Sequence, residues 1–192
     1  ISSKNPPVKI VQGSNPVFFR EGIKFLFSKG GQIYESPMDI NATPKLLFSA
    51  RGVNTSPRFS PDGYEVLFVS ARGDHSFIGI FNLLKKSIRW IAPDVTKDEF
   101  PVWSPDGKRV AFIRKPGARM GALPDITGGV KFAIWMADAV TGQAKMLWKS
   151  PADDGGFAQE ATPPLSWTNT GRILFFSEHT GWNHVWSMNE NG

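Results

Sequence analysis

Cysteine is absent from all 192 residues, which excludes disulfides, thiol nucleophiles and thiolate metal sites. No apolar run approaches the roughly 20 residues that a membrane-spanning helix needs. No signal-peptide pattern is visible, although the chain starts with Ile1 rather than Met, which leaves room for a removed leader or a larger N-terminal part. Histidine is scarce. His75, His179 and His184 include no pair at the i, i+4 spacing of a helical zinc site, so no metal site is expected. None of the sixteen serines has glycine two residues before and two residues after it, so the nucleophile elbow of an α/β-hydrolase is missing. Gly128-Gly129 lacks the Lys-Ser/Thr that completes a phosphate loop. Asp153, Asp154 and Glu160 flank Gly155-Gly156, and adjacent acids in so glycine-rich a stretch read as a solvated loop rather than a glycosidase pair. No catalytic group and no cofactor is implied.

What is present is a globular composition, 41% hydrophobic and 12% aromatic, with 19 glycines and 15 prolines. Many turn formers between short apolar runs indicate an all-β protein. The net charge is +5. The basic residues lie in small scattered groups (Lys85, Lys86 and Arg89; Lys108 and Arg109; Arg114, Lys115 and Arg119). That pattern is an ordinary solvated surface, and no nucleic-acid partner is expected.

The dominant signal is a repeat. Phe59 followed by Ser60-Pro61-Asp62-Gly63 returns as Trp103 followed by Ser104-Pro105-Asp106-Gly107, 44 residues later. Each copy follows a proline, Pro57 or Pro101, and precedes an apolar run, Glu65 to Val69 or Arg109 to Ile113. A weaker copy upstream runs from Pro16 to Gly22, and another downstream from Pro164 to Gly171. Successive turn glycines are 41, 44 and 64 residues apart. A period in the low forties is the length of one four-stranded propeller blade. In the turn itself, proline presets φ, Asp bonds back to the backbone and Gly takes a positive φ. One such sheet cannot bury both faces, so blades stack in arrays.

This spacing predicts a β-propeller fragment of about three and a half four-stranded antiparallel blades from a seven- or eight-bladed ring. The blades fall at about 15–50, 56–93, 100–149 and 163–192, after an N-terminal extension at 1–14. The last blade stops after its third strand. Bare faces beside the first and last blades, and the open edge of the last strand, would then be covered by the rest of a longer polypeptide. The excess length of the third blade is a Gly- and Pro-rich insertion from Lys115 to Val130, a kind of loop that often carries function. Trp182, His184 and Trp186 alternate in the last hairpin, which in a strand puts them on one face, where packing between blades is expected in preference to a ligand surface.

The repeated Ser-Pro-Asp-Gly resembles the propeller repeats of TolB-like proteins and of the N-terminal domains of the prolyl oligopeptidase family. The stretch from Phe176 through Ser177, Glu178, His179, Thr180, Gly181, Trp182, Asn183, His184 and Val185 to Trp186 resembles the Ser-Glu-Arg-Asp-Gly-Trp-x-His-Leu-Tyr hairpin of dipeptidyl-peptidase-IV-type propellers. The resemblance covers roughly residues 15 to 192. It implies a parent serine peptidase whose C-terminal α/β-hydrolase domain, absent from this chain, carries the Ser-His-Asp machinery. The propeller would gate or position the peptide substrate. Arg119 in the insertion, Glu160 before the fourth blade and His184 in the last hairpin are the candidate substrate-binding residues. The paired glutamates that bind the substrate amino terminus in that family have no counterpart, since Glu160 stands alone. The alternative is a non-enzymatic, TolB-like protein-binding module. A periplasmic or secreted setting is preferred over a cytoplasmic one.

Overall fold

The computed structural model describes residues 7–19, 22–117, 131–151 and 165–191. Fifteen strands, and no helix, occur among them. The first blade contains β1 (Ser14–Phe18), β2 (Lys24–Lys29), β3 (Gln32–Pro37) and β4 (Lys45–Phe48). The second contains β5 (Val53–Phe59), β6 (Glu65–Ala71), β7 (Ser76–Asn82) and β8 (Ser87–Ile91). The third contains β9 (Lys97–Trp103), β10 (Arg109–Lys115), β11 (Ala133–Asp138) and β12 (Ala144–Lys149), and β13 (Leu165–Trp167), β14 (Arg172–Ser177) and β15 (His184–Asn189) follow as a three-stranded sheet. Each blade is an antiparallel meander, the arrangement that the repeat predicts.

The strands begin where they do because the turns before them are locally satisfied. Gly63 donates its N–H to the Ser60 carbonyl at 2.9 Å, and the Ser60 hydroxyl donates to Asp62 Oδ1 at 2.6 Å while accepting the Glu65 N–H at 3.0 Å. The second copy reproduces this: Gly107 N–H reaches the Ser104 carbonyl at 2.9 Å and Arg109 N–H the Ser104 hydroxyl at 2.9 Å. The weaker copies close the same way, through Gly22 N–H to the Phe19 carbonyl and Gly171 N–H to the Thr168 carbonyl. All four glycines have positive φ, between 68° and 80°, a conformation that side chains with a Cβ rarely adopt.

Packing between blades follows from strands buried on both faces. In β6, Val66 and Phe68 meet Leu26, Ile33 and Phe48 of the first blade. The alternate residues Leu67 and Val69 meet Val110 and Phe112 of the third. In β10, Ala111 and Ile113 turn the other way, to Leu165, Ile173 and Phe175 of the fourth. Each fully buried aliphatic or aromatic side chain contributes on the order of 1.5–3 kcal/mol, so these three interfaces hold the array together.

One feature departs from four separate sheets. The second and third blades join through a single parallel pair, Ser76 with Lys97, into one eight-stranded network. Ser76 donates its N–H to the Thr96 carbonyl at 3.0 Å and its hydroxyl to the Asp98 carbonyl at 2.8 Å. Beside this junction lies a buried ion pair. Arg114 donates to both carboxylate oxygens of Asp98, at 2.7 and 2.8 Å, and to the Ala92 carbonyl at 2.6 Å. Its guanidinium also lies 4.7 Å from the Trp135 ring centroid. The chain crossing from one blade to the next is thereby fixed to the third blade's second strand. Burial pushes the Asp98 carboxyl above its ordinary range, against the opposing pull of Arg114.

Candidate functional site

The first strand of each of the first three blades carries an X-Pro step that the turns alone do not reveal. Asn15-Pro16 and Ser56-Pro57 interrupt the pairing of β1 with β2 and of β5 with β6, and Phe100-Pro101 does so in β9. Asn15, Ser56 and Phe100 all have positive φ, between 51° and 54°, which is uncommon for residues other than glycine. Proline offers no N–H to the ladder, so two residues there oppose one on the partner strand, as in a β-bulge. The bulge re-aims the residues that follow it.

Those residues converge on one cavity of about 500 Å³. β1 supplies Val17 and Phe18, β5 supplies Arg58 and Phe59, β9 supplies Val102 and Trp103, and β13 supplies Leu165, Ser166 and Trp167. All four blades contribute their innermost strand, so the space is axial to the array. Trp103 donates its indole N–H to the Arg58 carbonyl at 3.3 Å, which ties the third blade's wall to the second. The lining is mainly aliphatic and aromatic, with Ser166 beside it, and Arg58 is its only ionisable residue among the described residues. Arg58 reaches solvent along the open cavity, yet enough protein surrounds it that desolvation holds its pKa below the ordinary arginine value. No carboxylate pairs with it among the described residues.

The sequence-predicted candidates do not meet at this cavity. Arg119 and Glu160 lie outside the described residues, as do most of the third-blade insertion and Asp153-Asp154. His184 opens β15, exposed, opposite Ser177. It is absent from the cavity lining. Trp182 precedes the strand and is 78% exposed, so strand alternation does not govern it. Trp186 packs as expected, with its ring centroid 4.2 Å from that of His179, which in turn lies 5.6 Å from that of Trp148 in the third blade. The outer face of β14 and β15 is less covered: Val185 is 61% exposed, and Leu174 and Phe176 are half-buried. Sequence reasoning missed Arg58. The signal was available in the position five residues before each turn glycine, which holds Val17, Arg58, Val102 and Ser166.

No protein-family model and no curated protein sequence matches the chain. Solved structures do. TolB from Acinetobacter baumannii is 22% identical with a TM-score of 0.64, over 96% of this chain and 42% of that one. A puromycin-hydrolyzing peptidase from Mycobacterium tuberculosis is 17% identical with a TM-score of 0.68, over 94% and 28%. The acylaminoacyl peptidase of Pyrococcus horikoshii is 12% identical with a TM-score of 0.55, over 88% and 29%. The chain therefore spans less than half the length of each of these structures. The likeness shows the fold, a β-propeller.

Proposed function

We propose that this chain is the propeller portion of a serine peptidase of the prolyl oligopeptidase type, which admits and positions peptide for an α/β-hydrolase domain elsewhere in the polypeptide. The observation that supports this reading is the axial cavity. Four inner strands meet around about 500 Å³, space for a few residues of extended peptide. The hairpin from Phe176 to Trp186, with its likeness to peptidase propellers, points the same way. The substrate-binding roles of Arg119, Glu160 and His184, and a periplasmic or secreted setting, belong to this proposal.

The second reading is a non-enzymatic binding module, supported by the likeness to TolB and by the open face around Val185 and Trp182, since exposed apolar surface marks interaction sites. Labelling the native protein in its source cells with a fluorophosphonate serine-hydrolase probe separates the two. The peptidase reading expects a labelled polypeptide that yields peptides of this sequence on digestion. An unlabelled polypeptide containing this sequence refutes it in favour of the binding module.

A further inference from the structure

We infer that Arg58 is a carboxylate-recognition residue of the axial cavity, and that the ligand it selects is an extended peptide bearing a free carboxylate. The inference rests on the reading that peptide enters this cavity. The argument begins with the repeat. Five residues before the turn glycine, the first and third blades carry Val17 and Val102, and both belong to the apolar clusters between blades. The second blade carries Arg58 at that place, and the cluster between the second and third blades does without it. A guanidinium stands where the first and third blades place an aliphatic packing group and the fourth places Ser166.

Arg58 adds nothing to that packing, and its side chain stays solvent-accessible in the open cavity. Desolvation depresses the pKa of Arg58, and no carboxylate among the described residues offsets it. Residues that break a local rule without a structural gain are expected at functional sites. The polar side-chain groups of the wall are all able to donate. Besides the Arg58 fork there is the Ser166 hydroxyl, while the Trp103 indole N–H is already donated to the Arg58 carbonyl and the Trp167 indole N–H is enclosed away from the cavity. Aspartate and glutamate are absent from the lining among the described residues. A cationic fork with no internal partner, in a partly desolvated space, favours an anionic acceptor with two oxygens. The remaining walls, Phe18, Phe59 and Trp103, favour apolar side chains beside that anion. A carboxylate on a peptide meets both demands. It is either the C-terminal carboxylate or an Asp or Glu side chain.

The test uses the full polypeptide that contains this chain. Binding is measured by calorimetry at low salt with three short peptides of Ala and Phe: one with a free C-terminus, its C-terminal amide, and an amidated version with one internal Asp. Inorganic phosphate is a fourth probe. The wild type should bind one or both carboxylate peptides at least about tenfold more tightly than the neutral amide, the scale of a bidentate charged contact. The C-terminal and side-chain sources are told apart by which peptide gains. R58V, which installs the residue of the first and third blades, should bind all three alike and melt no lower than wild type. R58K, which keeps charge without the fork, should retain only part of the preference. The proposal is overturned if wild type does not distinguish acid from amide, if R58V keeps the preference, or if phosphate competes as well as the peptide. Failure of the fluorophosphonate labelling with the acid preference intact removes the peptidase reading and leaves the carboxylate site. Labelling without the preference does the reverse.

Discussion

Replacing Asp98 by Asn, or Arg114 by Met, breaks the same ion pair, yet the two losses should behave differently. Asp98 is 0% exposed and Arg114 9%, so Asp98 has no route to solvent when its partner is lost, while the carboxylate left to Arg114 is the exposed Asp94, at 3.8 Å. Removing one member of a buried pair costs about 3–5 kcal/mol, about a fifth or more of the ordinary stability of a domain. In D98N the guanidinium stays cationic at every accessible pH, so its cost relative to wild type should be nearly flat between pH 5 and 7. In R114M the stranded carboxyl can protonate. Burial already raises its pKa, and loss of Arg114 removes the main opposing pull. A carboxyl whose native pKa lies above its unfolded value adds stability below the unfolded pKa and loses it as pH rises through the native pKa. R114M should therefore be penalised less at pH 5 than at pH 7, by up to about 2.7 kcal/mol at 1.36 kcal/mol per pH unit. Urea unfolding followed by tryptophan fluorescence reports this directly, since the chain has 7 tryptophans. Protein concentration must be held constant, because association adds to apparent stability. A D98N cost under about 1 kcal/mol would show the pair behaving as a surface contact. An R114M cost equal at both pH values would show that Asp98 does not neutralise, and the account of the blade junction would fail.

Two further predictions concern packing and the repeated turn. A methyl group at Gly79 would meet Phe68 Cε1 at 2.6 Å and Trp90 Cζ3 at 3.0 Å, so G79A should cost about 1–3 kcal/mol by overpacking. An unchanged urea midpoint would mean that these rings swing aside freely. The Ser104 hydroxyl, with help from the Lys108 N–H, holds the Asp106 carboxyl below its ordinary pKa. A depressed native pKa contributes stability above the unfolded value and loses it as pH falls through the native one. The stability advantage of wild type over D106A should thus be full at pH 6 and shrink below about pH 4. An advantage that persists to pH 2.5 would assign the loss to the turn's shape rather than to its charge.

The amino-acid order by itself determined the turns, the strands and the stacking of blades. A Ser-Pro-Asp-Gly turn satisfies its own donors within five residues, as Ser60 to Glu65 does, so its chemistry is local and readable. The strand from Arg172 to Ser177 starts directly after such a turn and is legible for that reason. Tertiary structure decided the rest. Val66 and Leu67 are both apolar neighbours, and their opposite destinations are invisible when a strand is buried on both faces, because the alternation that marks a half-buried strand disappears. The Ser76–Lys97 bridge joins residues of two blades, and no local pattern encodes such a contact. Strand alternation suggested one face for Trp182, His184 and Trp186, but β15 begins only at His184. Arg58 looked like one more scattered cation. It became a candidate site only when the fold brought residues from four blades, three of them with a proline-marked bulge in the inner strand, around one axis. Only there does an arginine with no carboxylate partner among the described residues become part of a lined space.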